Sequence, residues 1–420
     1  MIKPDLGLTA YRILGRGLAL AAPLILRRRL AKGKESPERW REKLGHSGLE
    51  RPQGRLIWLH GVGLGEVMAL RGVVIALHAK EPDLHFLITS STRVSAEVIV
   101  NSALPNTQHQ FLPLDAPVFL KRFYDHWKPD LVIWSEQDIW PSAIFDAAQR
   151  NIAQCYINAR ITEASFKLRR RLRGLYGAAL GHMALESAQD IASEARLEQL
   201  GASGFIGQGS LKQSGPALTV DRTELASLRA MLDGRPVLIV ASSHAGDEAE
   251  LICAMERLKS EGWLCVLAPR DIGRAGAICA ALDAVGVSYV RRSEGGLLSS
   301  ETDVWLADSY GEMGLWYALG DVALVGGGFD DIGGHNPWEA VALDAAVLHG
   351  PDTYNFARDY ELLDSAGGAL AVASGSLSDI LPEQDARRLM CERAAKVRED
   401  AAQTLEKLAA QIFSLLRPLQ

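Results

Sequence analysis

A chain of 420 residues exceeds one ordinary core, and 48% hydrophobic with 23% charged content is that of a soluble globular protein of roughly two to three domains. The formal charge of −6 hides an asymmetry, because residues 1–43 hold eleven Lys/Arg against four Asp/Glu and the remainder is strongly acidic. Five cysteines, at 155, 253, 265, 279 and 391, form no CxxC and have no neighbouring histidine pairs, which argues against a zinc site or disulfide framework; no HExxH, P-loop or GxSxG occurs.

The first element, Leu6 to Leu26, is apolar but carries Arg12 and Arg16, so only the ten residues Gly17–Leu26 are free of charge. A bilayer span needs ~20. Arg27-Arg28-Arg29 stands where a signal peptide would have a small-residue cleavage site. We expect an amphipathic element lying at an anionic membrane surface, held on the cytoplasmic side by its basic flank. A hydrophobic helix packed onto the protein's own surface is the alternative.

From residue 55 onward short apolar runs alternate with helical patterns. Runs 55–60, 84–90, 110–114, 131–135 and 154–158 read as strands, with amphipathic stretches such as 67–80 and 94–102 between them. Around 208–222 the pattern lapses into a linker-like Gln-Gly-Ser-Leu-Lys-Gln-Ser-Gly-Pro. A second series follows at 236–242, 264–268, 287–290, 304–306, 322–325 and 346–348, and 384–417 is a long helical pattern. Such alternation predicts two doubly wound α/β domains, with ligands in a cleft between facing strand C-termini.

The first strand runs into Gly61-Val62-Gly63-Leu64-Gly65-Glu66, which is GxGxGE rather than GxGxxG; the second ends Thr89-Ser90-Ser91-Thr92 with no acid for a ribose. A dinucleotide site is therefore not expected. What remains is a glycine loop delivering Glu66 to a helix N-terminus, where it either complements the dipole or deprotonates an incoming hydroxyl. Glu136 and Asp138 follow the fourth strand. Arg160, Lys167, Arg169, Arg170, Arg171 and Arg173 then oppose only Glu163 across residues 158–173, which suits an anionic ligand, although a solvated helix face gives the same pattern.

In the second half, Ser242 and His244, Pro269 and Arg270, and Asp308 through Met313 each follow an apolar strand. After 321–325 comes Gly326-Gly327-Gly328-Phe329-Asp330-Asp331-Ile332-Gly333-Gly334-His335-Asn336-Pro337-Trp338-Glu339. Asn336 suits an N-cap, Pro337 the first position of a helix running to Leu343, and Glu339 its N3. A capping box accounts for Asn336 and Glu339 but needs neither five glycines nor His335. Glycines let backbone N–H groups approach a phosphate, and Glu339 is placed for a sugar diol.

These motifs resemble those of 3-deoxy-D-manno-octulosonic acid (Kdo) transferases, inverting GT-B glycosyltransferases that move Kdo from CMP-Kdo onto a lipid A precursor. The likeness runs from about residue 33 to 372 and is carried by Gly333-Gly334-His335-Asn336-Pro337-x-Glu339, Gly311-Glu312-Met313-Gly314, Pro269-Arg270, Asn158-Ala159-Arg160 and Gly350-Pro351 with Asn355-Phe356. The resemblance implies a GT-B fold: a membrane-associated segment 1–45, an acceptor-binding domain 46–212, a CMP-sugar-binding domain 213–402 and a C-terminal helix 403–420. It implies Glu66 as general base and Glu136 as a second acid near the reaction centre. Ser242, His244, Pro269, Arg270, Gly311, Glu312, Met313, Gly334, His335, Asn336, Glu339 and Lys212 would hold the donor, with Lys212 at the sugar carboxylate. Gly63, Arg160, Arg169 and Arg170 would face a phosphorylated lipid acceptor. Neither cofactor, metal nor nucleic acid is implied, and the site of action is the cytoplasmic face of the inner membrane. Gly63 replaces the family's serine, Asp138 a glutamate, Ser210 an asparagine, and Glu186-Ser187-Ala188 the Gln-Ser-Glu expected after the sixth strand. A related enzyme using UDP, a different acceptor, or a catalytically weak lipid-binding paralogue are the alternatives these departures leave open.

Overall fold

A computed structural model describes residues 6–416 except 103 and 297; the outer ends of the expected segments 1–45 and 403–420 lie outside the described residues. The chain divides into two compact units, one reaching Gly215 and resuming at Ala401, the other Pro216–Asp400.

The first unit is built on strands β1 (Leu56–His60), β2 (His85–Ser90), β3 (Thr107–Phe111), β4 (Leu131–Ser135), β5 (Ala153–Ala159), β6 (Leu185–Ala188) and β7 (Phe205–Gln208). All pair in parallel, in the order β3-β2-β1-β4-β5-β6-β7. Every residue of β1 and β4 is buried. Alternate side chains feed opposite layers: Ile57 and Leu59 join Val67, Leu70 and Val74 of one helix layer, while Leu56 and Trp58 join Phe123, Tyr124 and Trp127 of the other. A sheet covered on both faces is why these strands read as unbroken apolar runs.

The expected third strand at 110–114 sits instead at 107–111, and the difference is chemical. Thr107-Gln108-His109-Gln110 is polar, yet His109 and Gln110 are buried because Arg39, Ser90, His46 and Trp127 satisfy them. An apolar-run criterion misses an edge strand of this kind. It also misses the four-residue β6 and β7. Glu186-Ser187-Ala188 lies within β6 rather than after it.

The second unit repeats the plan with β8 (Val237–Ser243), β9 (Leu264–Pro269), β10 (Tyr289–Arg291), β11 (Val304–Leu306), β12 (Val322–Val325), β13 (Ala346–His349) and β14 (Ala369–Ala371), in parallel order β10-β11-β9-β8-β12-β13-β14. The last of these has no counterpart in the sequence reading. The C-terminal helix starts at Gln384, well before residue 403, and its Leu405, Leu408, Ala409 and Ile412 join the core of the first unit.

The order of strands reverses between β1 and β4 in one sheet and between β8 and β12 in the other. In open parallel sheets the crevice beyond the strand C-termini at such a reversal is where ligands bind. Glu66 and Glu136 follow β1 and β4; His244 and the glycine loop follow β8 and β12.

At the N-terminus, Leu6–Ala31 is one helix, long and apolar enough to cross a membrane by length and composition. Arg12 turns inward to Asp146 (2.7 Å) and over the Phe145 ring, while Arg16, which bounds the charge-free stretch Gly17–Leu26, stays exposed. Leu8, Gly15, Ala22 and Leu26 are buried, the last two against Leu44, Ala116 and Phe119. Ile13, Leu14, Leu18, Leu20, Leu24 and Ile25 stay exposed. One face thus packs on the protein, as the alternative reading had it, and a broad apolar face remains uncovered.

Candidate functional site

Within the first unit, β1 ends in fully buried His60, whose Nδ1 lies 2.9 Å from Thr89 Oγ1. Burial pushes its imidazole down to about 4, so it stays neutral. The chain turns through Gly61-Val62-Gly63 into helix Leu64–Lys80, capped by Gly63 with no side-chain bond. A Cβ on Gly61 would stand 3.2 Å from that of Glu66, which explains the small residue; one on Gly63 would meet nothing within 4 Å. Glu66 is the third helical residue and folds back to accept the Val62 N–H at 2.6 Å. Burial raises its carboxyl to about 7, with the charges of Glu136 and Asp138 adding to the effect and the Val62 N–H opposing it. A half-ionised carboxylate at neutral pH is suited to accept a proton.

Glu136 follows β4 in a left-handed conformation (φ 57°) and is 4% exposed. Such backbone states persist where surrounding contacts over-determine them. Here the Tyr156 O–H and the Arg160 N–H both donate to its carbonyl. Its carboxylate accepts from Asn158 Nδ2 at 3.2 Å and lies 3.8 Å from Lys212 Nζ. Burial raises its pKa, while Lys212 and Arg160 oppose the rise. Asn158, also left-handed, accepts the Leu211 N–H through Oδ1 and so anchors the segment that delivers Lys212. Lys212 therefore stands beside Glu136 in the first unit, apart from the second-unit residues with which the sequence groups it.

The basic stretch divides. Arg169 points inward, donating to the Gln137 carbonyl and facing the Tyr176 ring, and its charge opposes the burial that raises Asp138. Lys167 pairs with Glu163. Arg170 covers Phe166, while Arg170, Arg171 and Arg173 are exposed. Only Arg160 and Arg169 adjoin the carboxylates.

In the second unit, β8 ends at Ser242 (φ 52°) and Ser243, and His244 caps helix Ala245–Ser260 in a capping box with Asp247. The fully buried Asp247 was not singled out in the sequence. Its Oδ2 accepts the N–H groups of His244 and Gly327, both at 2.8 Å, locking the glycine loop to the helix start. The His-x-x-Asp spacing of the capping box was the available signal. Further ties run from the Gly334 N–H to the Gly327 carbonyl and from the Tyr360 O–H to the His335 carbonyl. Gly328 and Gly350 stand back to back, each leaving no room for a Cβ on the other.

His244 and His335 stack (5.2 Å, 18°) with their Nε2 atoms 2.9 Å apart, one donating to the other. Burial drives His335 down to about 4, helped by His244 and Arg270. Arg270, after Pro269 at the end of β9, is exposed and its side chain has no ion pair among the described residues. Asn336 is not the N-cap: Pro337 is, and the helix is the single turn Trp338–Val341 rather than a run to Leu343. Asn336 Oδ1 still accepts the Trp338 N–H at 3.2 Å, and its amide lies 3.4 Å from Glu339. Gly311 is left-handed (φ 92°). Glu312 is already engaged by Arg292 and Ser309, with Arg292 holding its carboxyl below the usual range. Met313 packs into the core, and Gly314 lies so close to the Thr219 carbonyl that a Cβ would overlap it.

A family model described as 3-Deoxy-D-manno-octulosonic-acid transferase (kdotransferase) matches residues 38–214. A 3-deoxy-D-manno-octulosonic acid transferase from Bordetella pertussis is 31% identical over 411 residues, covering 93% of this chain and 95% of that one. One from Rickettsia felis is 31% identical over 299 residues, 71% of this chain; this chain spans 64% of that relative's length. Among solved structures, a glycosyltransferase from Rickettsia africae aligns with 88% of this chain and 100% of its own (TM-score 0.55, 11% identity). A UDP-GlcNAc 2-epimerase from Neisseria meningitidis aligns with 86% and 99% (TM-score 0.54, 13% identity). Both share the two-unit α/β GT-B fold.

Proposed function

The chain belongs to the 3-deoxy-D-manno-octulosonic acid transferase family, and from that premise we propose that it transfers Kdo from CMP-Kdo to a hydroxyl of a phosphorylated lipid A precursor, lipid IV-A, with inversion. Glu66 takes the proton from the acceptor hydroxyl as that oxygen bonds to the anomeric carbon. The carbon–phosphate oxygen bond breaks and CMP departs with the electron pair. The observation that carries this reading is the Glu66 carboxyl, raised to about 7 beside Glu136 at the reversal of the first sheet.

On this reading residues 46–212 bind acceptor and 213–402 bind donor. Glu136 is the second acid, and Lys212 meets the sugar carboxylate. Arg270 stabilises the leaving phosphate, with Pro269 beside the cytosine. Ser242, His244, Gly334, His335 and Asn336 surround the phosphate, and Glu339 takes the ribose. The 311–314 loop meets the nucleotide through backbone and Met313, since Glu312 is held by Arg292. Gly63, Arg160, Arg169 and Arg170 face the acceptor. The apolar face of Leu6–Ala31, with its arginines, seats residues 1–45 on the cytoplasmic face of the inner membrane. The empty space at Gly63 favours a second reading on the acceptor side alone: a bulkier sugar or lipid hydroxyl in place of lipid IV-A.

Incubation with CMP-Kdo and lipid IV-A, followed by mass measurement of the lipid, tests the proposal. One or more Kdo masses on the lipid, lost in Glu66→Ala, is the expected result. Unmodified lipid together with calorimetric preference for UDP over CMP would reject it.

A further inference from the structure

The second unit has a cavity of about 1070 Å³ that none of this chemistry uses. Val237 and Asp321 line it, and these stand at the starts of β8 and β12. The donor-side residues 241–244 and 326 lie at the other end of the same strands, ~13–23 Å away at the usual rise per residue. The cavity is therefore separate from the candidate donor site.

Its lining combines an apolar floor with an excess of cations. Leu218, Val220, Leu225, Leu232 and Leu343 belong to or pack against the core beneath the sheet. Five arginines line the walls against two aspartates, in a chain whose body is otherwise acidic. Not all five are available. Arg235 spends its guanidinium on the carbonyls of Gly262, Trp263 and Ser300, and Arg387 lies over the Trp263 ring. Arg229 gives one N–H to the Ala318 carbonyl. The Arg222 side chain makes no hydrogen bond or ion pair among the described residues, and the Arg388 side chain has a 3.4 Å contact with exposed Asp385. Asp321 is turned to the Val237 N–H and does not neutralise them. Arg222 and Arg229 sit two turns apart on one helix, so they share a face, and Arg388 comes from a second helix.

Guanidinium groups lining one cavity above an apolar floor match an anion attached to an apolar body, because the fork donates to phosphate or carboxylate oxygens while the floor removes carbon from water. A volume near the upper end of ordinary small-molecule sites accommodates such a molecule whole. We propose that this cavity is a second ligand site, taking a phosphate- or carboxylate-bearing amphiphile through Arg222, Arg229 and Arg388.

The test is calorimetric titration of the full-length protein with two probes: inorganic pyrophosphate, for a free anion, and dihexanoyl phosphatidic acid below its micelle concentration, for a lipid-borne one. Three proteins are compared: wild type, the double variant Arg222→Gln/Arg388→Gln, and Arg270→Gln, which disarms the candidate donor site. Both cavity positions are exposed, so the fold should survive, and a melting curve checks it; Arg388→Gln alone replaces the pair if it does not. At least one probe should bind wild type and Arg270→Gln alike and bind the cavity variant at least ~10-fold more weakly. The tighter probe identifies the source of the anion. Equal affinity in wild type and cavity variant, or no binding of either probe to wild type, overturns the proposal.

Discussion

Replacing Glu66 by Gln separates catalysis from stability. With a carboxyl near 7, about a tenth is ionised at pH 6, about half at pH 7 and about nine-tenths at pH 8. If the anion removes the acceptor proton, wild-type kcat/KM rises about tenfold from pH 6 to pH 8. Gln can keep the Val62 N–H contact but takes no proton, so kcat should fall by ~10²–10⁴, a barrier increase of ~3–5 kcal/mol, and the rise with pH should vanish. Stability moves the other way. The folded-state pKa lies above the ordinary 4.5, so the unfolded chain ionises first and wild type loses stability as pH climbs from about 4.5 through about 7. Gln does not ionise, and the variant's melting temperature relative to wild type should increase between pH 5 and pH 8. Initial rates of CMP release across pH 5.5–9, with melts in the same buffers, measure both. A variant retaining more than about a tenth of wild-type kcat at pH 8, or a wild-type profile flat from pH 6 to pH 8, would refute the base assignment.

Glu136→Gln removes a negative charge that raises Glu66; the acidic limb of the kcat/KM profile should move to lower pH, and an unmoved limb would show that the two carboxylates do not interact. Gly328→Ala would bring a Cβ to 2.7 Å of the Gly350 backbone. A loss of ~1–3 kcal/mol in denaturant unfolding and weaker CMP binding by calorimetry are expected. Gly63→Ser places its Cβ in open space at φ −100° and adds a hydroxyl at an N-cap that has none. Stability should rise by a few tenths of a kcal/mol, and a lowered melting temperature would contradict that geometry. Gly15→Leu sets a side chain against the Asp115 carbonyl and Pro117, whose contacts with a Cβ are already 3.3 and 3.4 Å. Unseating the N-terminal helix should lower the melting temperature, and an unchanged melt would mean that the helix contributes little to the unit.

What the sequence made legible follows from burial. Strands β4, β11 and β12 match their apolar runs to the residue because a central parallel strand is apolar on both faces. Strand β3 was displaced because its polar residues are satisfied by Arg39 and Ser90, partners too distant in sequence for any local pattern to reveal. The same limit hid the inward turn of Arg12. A charge inside an apolar helix argues against a membrane segment only until its acid is found, and Asp146 lies far along the chain. The one-turn helix after Asn336 was over-read for a different reason. Capping residues mark where a helix starts, not how long it runs, and this one stops at Val341.

At the candidate sites, residue types were legible and their electrical states were not. Local contacts alone would hold the Glu66 carboxyl down, through the Val62 and Gly63 N–H groups; burial and the charges of Glu136 and Asp138 raise it. Glu312 shows the reverse, since its motif marks it for a ligand while Arg292 has already claimed the carboxylate. On the proposed reaction the two sheets use one topological position for different chemistry. At the first reversal stand half-buried Glu66 and buried Glu136, both with raised pKa values and Glu136 beside Lys212, an arrangement suited to proton transfer. At the second, Asp247 consumes two backbone N–H groups to fix a loop, and burial holds His335 neutral. Arg270 is an exposed cation there, so on the proposed reaction the leaving phosphate relies on a fixed cation while the acceptor relies on a titrating acid. The pH dependence of turnover should then follow the carboxylates of the first unit.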